Sequence, residues 1–199
     1  MSDEKIFISA EELLRDSFLL ANKILESGFR PDYIVGIWRG GTPVGIAVQE
    51  FLDYAGVEPD HIAIRTSHYT GIAQATPSVQ VHGLGYLIRK VNRQDALLIV
   101  DDVFDTGNKV KAVISEIKQQ ARGNTPEDIR IAVPWFKPSR NETDIKPHFY
   151  LRETSAWLVF PHELDALNPK EMREFRPALH EIIHDVSFER DATKSDESV

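Results

Sequence analysis

LLIVDDVFDTGNK, residues 97–109, decides the fold. Four apolar residues run straight into two adjacent carboxylates, Asp101 and Asp102. Two more apolar residues follow, then a third carboxylate, Asp105, and then Thr106-Gly107. A short continuous apolar run bounded by turn residues reads as a strand buried on both faces. Gly107 allows a tight turn into a helix reaching about Ala121, with apolar residues at 110, 113, 114 and 117. Negative charge is thus expected at the tip of a buried strand, beside a helix N-terminus. Such a place offers two unlike surfaces. Carboxylates accept hydrogen bonds from hydroxyls or hold magnesium. The free amides and partial positive charge of a first helical turn receive an anion. One or two Asp residues alone would read as caps and turn residues. Adjacent like charges repel, however, and a divalent cation or a polyhydroxyl ligand would relieve that repulsion.

Outward from this stretch, strands and helices alternate. SAEELLRDSFLLANKILES (9–27) is a helix with Ser9 as N-cap, Glu12 completing a capping box and Gly28 past its end. YIVGIW (33–38) is a buried strand. Thr42-Pro43 opens a second helix to about Tyr54, with Thr42 as the cap. HIAIRTS (61–67) is a strand, HYTGIAQATPSVQVHGLG (68–85) a long polar loop, and GYLIR (85–89) a short strand. IRIAVPWF (129–136), HFYLRE (148–153) and AWLVF (156–160) are further strands. PKEMREFRPALHEIIHDV (169–186) is a terminal helix broken near Pro177. Apolar strands alternating with helices imply an α/β fold with a mostly parallel sheet covered on both faces, its ligands at the carboxyl ends of the strands. One domain is expected over 1–188, with a disordered tail at 189–199.

Composition narrows the function. The chain has 199 residues, a formal charge of −8 and no cysteine. A net acidic chain lacks the broad basic face that nucleic acid requires, so no nucleic-acid partner is expected. No run is long enough to span a membrane, and the acidic start, MSDEKIFISAEE, has no signal-peptide core. A cytoplasmic protein is the expectation. The seven histidines form no metal-ligand spacing, and no Gly-x-Gly-x-x-Gly turn follows the first strand, which argues against a dinucleotide binder.

Other stretches agree with an anion site. WRGGTPVG (38–45) ends the first buried strand in Arg39-Gly40-Gly41. The glycines let the backbone approach an anion closely, and Arg39 adds a charged bidentate contact.

LLIVDDVFDTG resembles the ribose-phosphate signature of the type I phosphoribosyltransferases. WRGG resembles the pyrophosphate loop of their purine branch, where a cis peptide often precedes the loop, here between Trp38 and Arg39. Lys137-Pro138 and, about twenty residues on, Trp157 resemble the bacterial xanthine-guanine and hypoxanthine enzymes. The resemblance covers roughly residues 30–165. It implies transfer of 5-phosphoribosyl from phosphoribosyl pyrophosphate to a purine, with release of pyrophosphate, in purine salvage. Asp101 and Asp102 would meet the ribose hydroxyls and magnesium, directly or through water. Asp105 would be the general base. Residues 105–109, Asp105, Thr106, Gly107, Asn108 and Lys109, would hold the 5′-phosphate, and Arg39, Gly40 and Gly41 the pyrophosphate. Ser67 and Tyr69 would begin a flexible loop that closes over the substrate. Lys137, Trp157, the backbone at Leu158 or Val159, and Glu163 would bind the base. A small hood would comprise roughly 137–168 and the N-terminal segment. A homodimer or tetramer is implied as well. Two departures stand out: Lys109 where relatives carry a hydroxyl residue, and His162 where they carry Trp. Together with Val159, His162 favours hypoxanthine over guanine or xanthine. A non-catalytic sensor of phosphoribosyl pyrophosphate or nucleotide on the same fold is the alternative.

Overall fold

A computed structural model describes residues 5–69, 78–165 and 167–183. The elements in chain order are β1 (Lys5–Phe7), α1 (Ala10–Glu26), β2 (Tyr33–Trp38), α2 (Gly41–Tyr54), β3 (Asp60–Tyr69), β4 (Ser78–His82) and α3 (Gly85–Ile88). They continue with β5 (Ala96–Val100), β6 (Val103–Phe104), α4 (Asn108–Ala121), β7 (Asp128–Phe136), β8 (Phe149–Glu153), β9 (Trp157–Val159), α5 (Pro169–Phe175) and α6 (Pro177–Ile183). The chain divides into two compact units, Met1–Pro161 and His162–Val199, where the sequence reading drew one domain over 1–188. The tail expected to be disordered lies outside the described residues.

The first unit is built on a seven-stranded sheet. Its strand order is β4-β3-β2-β5-β7-β6, with β8 on the other side of β7. All pairs are parallel except β3 with β4. Side chains alternate between the two faces, as the period of a strand dictates. Leu98 and Val100 pack with Leu20 and Ile24 of α1 and Val44 and Val48 of α2. Leu97 and Ile99 pack with Leu87 of α3 and Val110, Val113 and Ile117 of α4. Both faces are therefore covered, which is why the strands read as unbroken apolar runs. Asp16 on α1, fully buried, is held by the guanidinium of Arg152 on β8, with one contact at 3.0 Å. Strand β1 pairs in parallel with β9 as a separate two-stranded sheet. No described helix is long and apolar enough to cross a membrane.

Several local expectations are revised. Helix α1 begins as expected, with Ser9 Oγ accepting from the Glu12 N–H at 3.1 Å. Helix α2 instead begins at Gly41, with Gly40 in the cap position, so Thr42 is already inside the first turn. The Thr42 N–H donates to Arg39 O at 3.1 Å, which closes the turn one residue early. Of the strand expected at 85–89, Gly85–Ile88 form the helical turn α3 instead. Leu84 and Leu87, both buried, stand three apart and share one face of that turn. Part of the long polar loop is sheet: β4 returns antiparallel along β3, with Tyr69 opposite Ser78. Residues 70–77 of that loop lie outside the described residues.

The acidic stretch also departs from the expected strand tip. Val100 is paired with Ala132, and Val103 with Trp135. The pairing offset is the same on both sides of Asp101-Asp102. Strands β5 and β6 are thus one line along β7, interrupted only at the two carboxylates. The Asp101 N–H still donates to Ala132 O at 3.3 Å across the interruption.

Candidate active site at the interrupted strand

Asp101 and Asp102 are buried, at 1% and 6% exposure, although both are acids. What surrounds them is specific. The Gly40-Gly41 turn lies directly against them: a Cβ on Gly40 would overlap the Asp102 carboxylate, and one on Gly41 would overlap Val100 O and come within 2.9 Å of Asp101 Cα. Gly40, predicted to approach an anion, therefore approaches a carboxylate of the protein itself, while Gly41 meets the backbone at Val100 and Asp101. The peptide between Trp38 and Arg39 is cis. Asp102 turns one oxygen, Oδ1, back to the Val103 N–H at 2.8 Å.

Asp101 is ion-paired. Lys109 Nζ lies 2.9 Å from Asp101 Oδ2, with the Lys109 side chain 40% exposed and the Asp101 side chain 2%. Burial, with the neighbouring Asp102 charge, pushes the Asp101 carboxyl up to about 7 against the opposing pull of the Lys109 ammonium. The same contact raises Lys109, which stays protonated. Asp105 has its own cation: Arg140 Nε lies 2.8 Å from its Oδ1. Arg140 was not singled out in the sequence. It sits in the turn-rich stretch after β7, and a pair formed across a loop leaves no periodic trace.

The loop that starts α4 is tightly made. Gly107 has φ of +81°, and a Cβ there would lie 2.5 Å from Thr143 Oγ1 and 2.9 Å from the Phe104 ring. The Asn108 N–H donates to Thr106 Oγ1 at 3.3 Å, so the Thr106 hydroxyl keeps its proton for another partner. Asn108 Nδ2 donates to Glu142 Oε2 at 2.7 Å. Residues 101, 103–107, 109 and 110 enclose a hollow of about 30 Å³.

Lys137, 4% exposed, directly follows β7, and its N–H donates to Phe104 O at 2.9 Å. Its ammonium lies 5.8 Å from the centroid of the Trp157 ring, which is half exposed. The structure thus joins Lys137 and Trp157 as the sequence reading paired them. On β9, Val159 O accepts from the Ile8 N–H at 3.0 Å, so Val159 turns its backbone toward β1. Successive residues present their backbone groups to opposite edges of a strand. Leu158 is therefore the residue whose N–H and C=O face away from β1. Ser67 is engaged within the sheet, its hydroxyl hydrogen-bonded to His82 Nε2 at 3.1 Å. Tyr69 ends β3, and its side chain lies outside the described residues. Glu163 belongs to the second unit.

A family model described as a phosphoribosyl transferase domain matches residues 9–167. The chain belongs to that family. Among solved structures it is similar to a purine phosphoribosyltransferase from Pyrococcus horikoshii, with 28% identity and a TM-score of 0.62, over 82% of this chain and 97% of that one. A hypothetical protein from Neisseria gonorrhoeae with bound ppGpp shares the fold at 22% identity and a TM-score of 0.71, over 89% and 98% of the two chains. So does a xanthine-guanine-hypoxanthine phosphoribosyltransferase from Helicobacter pylori, at 19% identity and a TM-score of 0.62, over 86% and 99%. The search of curated proteins returned no match.

Proposed function

We propose that the protein transfers 5-phosphoribosyl from phosphoribosyl pyrophosphate to a ring nitrogen of a 6-oxopurine, hypoxanthine foremost, and releases pyrophosphate. The observation that carries the purine is the Lys137–Trp157 pair, with the ammonium 5.8 Å from the ring centroid. A half-exposed aromatic face stacks a base, and a buried ammonium beside it donates to the exocyclic 6-oxo oxygen. The Leu158 backbone, turned away from β1, reads the base edge. The purine enzyme from Pyrococcus horikoshii, 28% identical, supports the same acceptor.

In this reading the C1′–oxygen bond to pyrophosphate breaks as the C1′–nitrogen bond forms. The proton of the base nitrogen passes to Asp105. Arg140 Nε holds Oδ1 of that carboxylate, leaving Oδ2 to take the proton. Asp101 and Asp102 accept from the ribose hydroxyls, residues 105–109 hold the 5′-phosphate, and Arg39 with Gly40 and Gly41 holds the pyrophosphate. Ser67 and Tyr69 stand at the base of the loop that would exclude water. Two neighbouring buried carboxylates suit magnesium, which takes one or two carboxylates and completes its shell with water and substrate phosphates. Asp101 and Asp102 would hold that ion, which would supply charge neutralisation to the departing pyrophosphate. The remaining rate enhancement comes from positioning and fixed charge. Supported by the resemblance alone, the protein would act as a cytoplasmic homodimer or tetramer.

The test is pyrophosphate release from phosphoribosyl pyrophosphate and magnesium with hypoxanthine, guanine or xanthine. Asp105→Ala should lose about 10²-fold or more in kcat while keeping its circular dichroism spectrum. A folded variant with near wild-type rate removes Asp105 from the chemistry. The ion pairs at Asp101 and Asp105, which balance both acids without ligand, favour a second reading as a non-catalytic sensor. Saturable binding without turnover for every base would establish that reading.

A further inference from the structure

We propose that Lys109 is a partner-switching residue: its ammonium holds Asp101 in the ligand-free protein and passes to the phosphate when a sugar phosphate binds, releasing Asp101 to the sugar hydroxyls. This deepens the phosphoribosyl reading and rests on it. Three observations converge. The two partners are unequal, since Asp101 is 2% exposed and Lys109 is 40% exposed. The carboxylate is fixed and the lysine can move. Lys109 is also the second residue of α4, where the helix dipole disfavours a cation. Asp101 now balances that charge, and a phosphate on the same helical turn would balance it better. Finally, Lys109 lines, together with Asp101 and residues 103–107, a hollow at the start of α4. A phosphate held there would meet the lysine beside the carboxylate it now pairs with.

The switch makes affinity a competition. An anion that draws Lys109 away leaves a buried carboxylate unbalanced, unless the same ligand brings hydroxyl donors to it. Phosphate alone should therefore bind weakly, and a phosphate joined to a ribose should bind well. A hydroxyl residue at position 109, as relatives carry, could not couple the two ends of the ligand in this way.

The test is a double-mutant cycle read by calorimetric titration with inorganic phosphate. Asp101→Asn should bind phosphate about fivefold tighter or more, because Lys109 is released. Lys109→Met should bind it more weakly. Asp101→Asn should then change nothing in the Lys109→Met background. An equal gain in both backgrounds would mean simple relief of repulsion and would overturn the switch, as would no gain at all. Wild-type protein supplies a readout that needs no variant to fold: saturating ribose 5-phosphate should move the Lys109 ammonium nitrogen resonance, and an unmoved resonance also overturns the switch. Failure of the enzyme reading looks different. Wild type would then release no pyrophosphate from phosphoribosyl pyrophosphate with any base, while the phosphate cycle still showed coupling.

Discussion

Gly107 concentrates the local demands of the site. Its φ of +81° lies where a side chain is disfavoured by about 1–2 kcal/mol, and its missing Cβ leaves room for Thr143 and the Phe104 ring. Gly107→Ala should therefore lower stability by at least that amount. Urea unfolding should show an earlier midpoint with an unchanged slope, and an unmoved midpoint would contradict the close packing. The residue types at this site were legible: the three carboxylates, the glycines, Lys137 and Trp157 were all visible in order. Their partners were less so. That Gly40 packs on Asp102 and that Arg140 holds Asp105 are long-range facts, set by which loops the sheet brings together, and that Lys109 holds Asp101 depends on how the turn between them folds. The cis peptide at Trp38–Arg39 was expected only through the family resemblance.

At the scale of elements, strands were legible wherever both faces are buried, because composition alone then marks them. Reading failed where short-range geometry overrode the pattern. Residues 85–89 resemble a strand in composition, yet the spacing of Leu84 and Leu87 winds them into a turn. The polar run after β3 gave no period, yet part of it pairs as β4 along an edge, where burial does not dictate the alternation. The β7–β8 junction carries a pH dependence. The Ile131 N–H donates to His148 Nδ1 at 3.1 Å, which needs that nitrogen unprotonated. Burial lowers the His148 pKa below its ordinary 6.5, with Arg130 adding to the effect and Asp128 opposing it. The unfolded chain then binds the proton more readily. This contribution to stability is complete above about 6.5 and is lost as pH falls toward the lowered folded value. Thermal unfolding followed from pH 8 down to pH 5 should show a decline that His148→Asn makes shallower. An identical decline in the variant would assign it to other groups.

At the scale of the whole molecule, the two apolar clusters consist of residues no later than Phe160. The first unit ends at Pro161. A chain truncated after Pro161 should thus remain folded and melt in one cooperative transition by circular dichroism. Loss of that transition would show that the first unit is not self-sufficient. The α/β class and parallel sheet followed from the alternation of elements, but the boundary at Pro161 did not. No run of Gly, Pro or charge marks it, and the break falls between two elements that both read as ordinary continuations.

The unchanged pairing offset on either side of Asp101-Asp102 has a consequence for what evolution and engineering can do here. The acids are spanned like the deck of a bridge, anchored at Val100 on one bank and Val103 on the other. Side-chain chemistry on the deck can vary, but its length cannot. One residue added or removed would carry Phe104 from its own apolar cluster to the opposite face of the sheet. The same slip would break the hydrogen bond from Lys137 N–H to Phe104 O, and the two ends of the site would lose their common ruler.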